Sequence, residues 1–182
     1  MRPLLCAAGF TLVMLAFHAE QLTAQLTPCN ASGSPGTCNR TGSVTMTAGR
    51  VVYLQMSSST TALTAPGPSD FDAGLKANNG PVLTVSANAG WNLYMRAASA
   101  LWTATNTSPG EPARTNKPAA DLKWSKVSNG AYTPLTTSDV NLASGAATAS
   151  SVTTLYFQTL YAWPLDTPGN YSLGIVLTLT SP

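Results

Sequence analysis

The sequence predicts an all-β protein, an immunoglobulin-like β-sandwich of about eight strands that follows an N-terminal signal peptide. Three observations lead there. Short segments alternate apolar and polar side chains with a period of two. Clusters of Gly, Pro and Asn separate those segments. Beyond the first two dozen residues, no stretch carries a helical period. Evenly spaced short strands of this kind pack as two sheets or close as a small barrel.

The strands can be taken in chain order. Val44 and Met46 alternate with Ser43, Thr45 and Thr47, and Val52, Leu54 and Met56 alternate with Val51, Tyr53 and Gln55. Gly49 between the two sets is a turn signal. Ser57 to Gly80 is polar and broken by Pro66, Gly67, Pro68, Gly74 and Gly80, so it reads as loop with at most a short strand near Thr60 to Thr64. Leu83, Val85 and Ala87 form the next strand, and Asn88-Ala89-Gly90 turns it into a partner carrying Trp91, Leu93 and Met95. Ala100 to Thr105 is a short strand bearing Trp102, followed by a Pro-rich loop from Asn106 to Pro118. Leu122 and Trp124 share one strand face, Asp139 to Ala143 is weaker strand material, and Val152 to Tyr161 is a longer strand with Leu155, Phe157 and Tyr161 on one face. Asp166-Thr167-Pro168-Gly169 reads as a turn. The chain closes on Tyr171, Leu173, Ile175, Leu177 and Leu179 in unbroken alternation.

The first residues read as a targeting segment. Arg2 precedes an apolar run from Leu4 to Phe17, and Ala24 supplies a small residue for cleavage. The run is shorter than the ~20 residues a membrane span needs, and no later apolar run is long enough. The organisation expected is therefore a signal peptide over 1–24, a loose Gly/Ser/Pro-rich segment over 25–42 and a β-sandwich over 43–182. Cys6 leaves with the leader, and Cys29 and Cys38 remain as one pair in an exported chain, which reads as a disulfide closing a small loop. Two free thiols are the alternative.

Composition narrows the chemistry. Charged residues make up 9% of the chain, against about 25% in typical soluble proteins, so Ser and Thr hydroxyls carry solubility. A net charge of +2 without a basic cluster gives nucleic acid no electrostatic footprint. The single histidine, His18, lies in the leader. Once that is removed, a Ser-His-Asp or Cys-His unit cannot be built, nor a zinc site based on imidazole. Asp70, Asp72, Glu111, Asp121, Asp139 and Asp166 sit mostly beside Gly, Pro or Ser, where their ordinary role is to cap turns. Asp70 and Asp72 begin no complete calcium-loop series. No cofactor, metal or catalytic residue is expected.

The aromatics are the remaining candidates. Trp91 and Trp124 run in register with Leu93 and Leu122 and belong to the core. Trp102, Tyr161 and Trp163 are the candidate binding residues: an exposed Trp163 beside Tyr161 could stack on a sugar ring or a partner surface, or instead cap one end of the core.

Two segments carry a family likeness. Gly90-Trp91-Asn92-Leu93, and the ending Pro168-Gly169-Asn170-Tyr171 with Leu173, Ile175, Leu177, Thr178 and Leu179, resemble bacterial surface β-sandwich domains of the WxL-type, cell-wall-associated class. That class has a second Trp-x-Leu near its end; here the position reads Leu177-Thr178-Leu179, and Trp163-Pro164-Leu165 lies before the turn. The resemblance implies attachment to wall polymer. A similar closing strand occurs in secreted pilin and spore-coat sandwich domains.

The function expected first is thus a secreted or cell-surface, non-enzymatic structural or binding module, with wall polymer or other surface proteins as partners. A fimbrial subunit assembling by strand donation ranks below it, because Gln25 to Gly42 lacks alternation and Tyr171 to Thr180 is expected to complete the fold. A carbohydrate-binding module is the third reading and requires exposed aromatics at Trp102, Trp163 or Tyr161.

Overall fold

The computed structural model describes residues 42–107 and 110–182. The segment expected to be a signal peptide and the expected Cys29–Cys38 disulfide lie outside the described residues. Thr47–Pro182 form one compact unit, and Gly42–Met46, the described part of the other, carry no regular secondary structure.

The protein is all-β, with antiparallel pairing throughout its sheets. Ten strands are described: β1 (Val52–Met56), β2 (Leu75–Ala87), β3 (Trp91–Ala97), β4 (Thr103–Thr105), β5 (Leu122–Ser125), β6 (Thr133–Pro134), β7 (Val140–Gly145), β8 (Thr148–Leu160), β9 (Asn170–Ser172) and β10 (Ile175–Thr180). The larger sheet runs β1-β2-β8-β5-β6, the smaller β10-β3-β7, and β4 pairs with β9 in a short ribbon. Period-two alternation explains the packing: Leu83 and Val85 of β2, Leu122 and Trp124 of β5 and Leu155 and Phe157 of β8 meet Trp91, Leu93 and Met95 of β3 and Leu142 of β7 in one buried cluster. Both sheets contribute to it, as a two-layer sandwich requires.

Four sequence expectations are corrected. Ser43 to Thr47 forms no strand, and Val44 and Met46 are 100% and 88% exposed. The side chain of Asn88 explains why no hairpin forms there: it accepts from the Val51 N–H at 2.7 Å and donates to the Gly49 carbonyl at 2.8 Å. The groups a Gly49 turn would use are thus committed to the β2–β3 connection.

Second, the Ser57 to Gly80 region contains a short helix, α1 (Pro68–Ala73), and β2 begins at Leu75. Pro68 stands at the start of α1, where its missing N–H costs nothing. The Asp70 carboxylate accepts the Gly67 N–H at 2.8 Å, and Gly74 ends the helix at φ 70°, a left-handed conformation that suits glycine. The residues that read as loop breakers are this helix's start and stop.

Third, Gly80 lies inside β2 rather than at a turn, at a shift of register against β8 between Asn79 and Val82. A Cβ there would sit 2.8 Å from Phe157 and 2.9 Å from the Leu155 carbonyl oxygen, so glycine is required by close approach at a bulge.

Fourth, the closing alternation is not one strand. It breaks at Leu173-Gly174 into β9 and β10, and β10 pairs only with β3. Among the described residues, one edge of β10 and one edge of β1 carry no ladder partner.

Candidate functional site

Two concavities are built at this end of the sandwich. The first is the seam between β1 and β10, a groove of about 910 Å³ between the two sheets. Leu54 of β1, Leu122 of β5, Leu155 and Phe157 of β8 and Ile175 and Leu177 of β10 line it, so the groove opens directly on core side chains. Ser58 to Leu63, the chain leaving β1, forms one wall.

The second is an aromatic cleft of about 610 Å³ that gathers all three sequence-predicted candidates, Trp102, Tyr161 and Trp163. It adjoins the first, since Leu63, Trp102 and Tyr171 line both. The three candidates differ in role. Trp102 is 7% exposed and donates its indole N–H to the Pro118 carbonyl at 3.1 Å, so it is core that forms the cleft's inner wall. The exposure that a carbohydrate-binding role would ask of it is not found at Trp102. Tyr161 is half-buried and lies 5.4 Å from the Phe71 ring, tilted by 47°. Trp163 is 57% exposed; it stacks on Phe71 at 4.6 Å and donates its indole N–H to Asp72 at 2.9 Å.

Helix α1 therefore builds the site. It supplies Phe71 beneath the indole and Asp72 at its edge, and the Gly74 carbonyl accepts the Tyr161 N–H at 3.0 Å. Because the segment reads as loop in the sequence, Phe71 carries no signal there and Asp72 reads only as a turn cap.

Behind the aromatics lies a charge network. Lys117 is 2% exposed, and its ammonium donates to Asp166 at 2.8 Å, to the Leu160 carbonyl at 2.8 Å and to Asp121 at 3.3 Å. It also stands 5.1 Å from the centre of the Tyr161 ring, within cation–π range. Arg114 adds contacts to Asp166 at 3.1 Å and Asp121 at 3.4 Å. Burial by itself would raise the Asp166 carboxyl. The hydrogen bond from Lys117, the Ala162 N–H, the Lys117 charge and Arg114 outweigh it and hold its pKa below the ordinary carboxylate value. Burial pushes the Tyr161 phenol up; the Thr159 hydroxyl opposes this, and the Asp166 and Asp70 charges add to it, so the net shift is upward. Tyr161 is thus a neutral cleft wall at neutral pH.

The loop after Asn106 is pinned to this wall. Arg114 N–H donates to the Tyr171 hydroxyl at 3.0 Å, that hydroxyl donates to the Thr167 carbonyl at 2.7 Å, and Thr167 donates to the Pro112 carbonyl at 2.7 Å. Gly169 fits here because a Cβ would meet the Ala113 methyl at 2.6 Å.

Among the described residues, no group of three or more His, Cys, Asp or Glu could hold a metal ion. No helix among them is long and apolar enough to cross a membrane. Compared with models of protein families and with curated protein sequences, the chain matches none.

Proposed function

We propose that this protein is an exported, non-enzymatic structural subunit of a surface layer or fibre, and that it assembles by accepting an extended segment from a second copy into the seam between β1 and β10. The observation that carries the reading is the open groove: among the described residues, an edge of β1 and an edge of β10 have no ladder partner, and a cavity walled by core leucines and phenylalanine opens beside them. An exposed strand edge over an apolar groove is a template for strand addition, in which main-chain hydrogen bonds supply affinity and alternate side chains fill pockets.

The occupant is the segment around Ser43 to Thr47 of the second copy. Val44 and Met46 alternate with hydroxyl-bearing residues, and both are fully or almost fully exposed. Five residues extended cover about 17 Å, comparable with the six-residue β10 they would pair along. The segment holds no proline and no charge that would oppose entry. The alternation lies just after Gln25 to Gly42, a segment that itself lacks it.

Export rests on the leader-like first 24 residues. The non-enzymatic reading rests on the lack of histidine beyond His18 and on the ion pairs that occupy Asp70, Asp121 and Asp166. Carboxylates already engaged by cations are poorly placed to act on a substrate.

Sedimentation velocity across a hundredfold range of concentration tests the assembly. The expected result is concentration-dependent oligomers that V44D and M46D abolish without loss of the β-sheet circular dichroism. A monomer at every concentration, destabilised by V44D, would show instead that the segment folds back on its own β1.

A further inference from the structure

We propose that the Trp163 cleft binds a neutral glycan, a β-linked pyranose chain with one ring stacked on the indole, at a site separate from the assembly seam. The indole is built as a platform. It is the only one of the four tryptophans that is not buried, yet it is fixed on one face by Phe71 at 4.6 Å and at its edge by the 2.9 Å hydrogen bond to Asp72. A side chain held this way loses little conformational freedom when a ligand lands on it.

The cleft volume of about 610 Å³ falls within the ~300–1,000 Å³ of small-ligand sites. Its lining is mixed: Phe71, Tyr161 and Trp163 share it with Thr64, Thr167 and Asn170. Thr159 is buried in the cleft wall, where its hydroxyl faces the Tyr161 phenol.

Charge selects the ligand class. A cation such as a quaternary ammonium would seek the Tyr161 ring, but the Lys117 ammonium already stands 5.1 Å from it. An anion would meet the carboxylates of Asp72 and Asp166. Lys117 offers no free charge to attract one, because Asp166 and Asp121 already share it. What fits is an uncharged molecule with one apolar face and a rim of hydroxyls. A pyranose with equatorial hydroxyls has that shape: its C–H face stacks on the indole and its hydroxyls reach the rim.

Isothermal calorimetry and tryptophan fluorescence with two probes test the proposal: the β-1,4-glucose hexamer and the β-1,4-N-acetylglucosamine hexamer. The two arms separate a plain glucan from an amino-sugar wall polymer. At least one hexamer is expected to saturate and quench the emission. Affinity should fall at least tenfold in W163A and recover in part in W163Y, while D72A should weaken it less than W163A does. V127A, which alters an exposed side chain elsewhere, should bind as the parent does. Thermal melting of each variant checks that it is folded, and W163A should still assemble in sedimentation, so failure here is distinct from failure of the seam. Absence of binding to both hexamers at about 10 mM, a limit near −3 kcal/mol, would overturn the proposal. Unchanged affinity in folded W163A would overturn it too, as would displacement of a hexamer by choline.

Discussion

Lys117 is the residue on which the aromatic end of the molecule turns. A lysine at 2% exposure survives only because its charge is answered on several sides. The nearer of its two carboxylate partners, Asp166, is remote in sequence and bonds it at 2.8 Å. The sequence reading took Asp166 for a turn cap, and it does accept the Ala162 N–H at 2.8 Å. The larger role was illegible because Lys117 stands in a Pro-rich loop, where a lysine reads as solvated.

D166N should destabilise the fold by about 3 kcal/mol, the usual cost of breaking a buried pair, measured by urea unfolding at pH 7. Because the folded pKa of Asp166 is depressed, its contribution is fully present above the unfolded value of about 3.9 and is lost as pH falls through the folded value. The parent should therefore lose stability on acidification below about pH 4, and the difference between parent and D166N should shrink there. A second residue-scale outcome concerns the tryptophans. Acrylamide should reach only Trp163, and W163F should leave an emission that is blue-shifted and shielded.

At the scale of elements, strands were legible where one face is buried and the other wet. Trp91, Leu93 and Met95 alternate strictly, and β3 lies where they place it. Alternation failed as a guide where it met a competing local bond. Ser43 to Thr47 has the pattern but no partner strand, since Asn88 holds Gly49 and Val51. Helix α1 went unread because its six residues are too few to show a helical period. Its signature was instead in its ends: Pro68 inside the start, Asp70 reaching back to Gly67, and Gly74 past the end. With α1 unread, the support beneath Trp163 was invisible, although Trp163 itself was singled out.

Two glycines test the element accounts. G74A forces a side chain into φ 70° and should cost about 1 kcal/mol in denaturant unfolding, with Trp163 becoming more open to acrylamide as α1 loosens. G80A meets Phe157 and the Leu155 carbonyl within 3 Å and should cost about 1–3 kcal/mol, without changing acrylamide access to Trp163.

For the whole molecule, the governing feature is a sandwich whose smaller sheet has three strands against five. The deficit leaves Leu155 and Phe157, two of the most buried side chains, also lining an open groove. Low charge along the chain fits a subunit destined for assembly, since few charges stand to repel a neighbour. The aromatic cleft sits next to the groove and shares Trp102 and Tyr171 with it. Glycan binding and assembly would then be read out side by side at the same end of each subunit.

The seam is tested most directly by adding a synthetic peptide of residues Gly42 to Arg50 to a V44D variant that cannot donate its own segment. Ligand binding to the folded state alone raises stability by about 2.7 kcal/mol at a hundredfold excess over Kd. The account predicts a saturable rise in the unfolding midpoint with the parent peptide and none with a peptide carrying Asp at the positions of Val44 and Met46. A midpoint that does not move with the parent peptide, or moves equally with both, would contradict it.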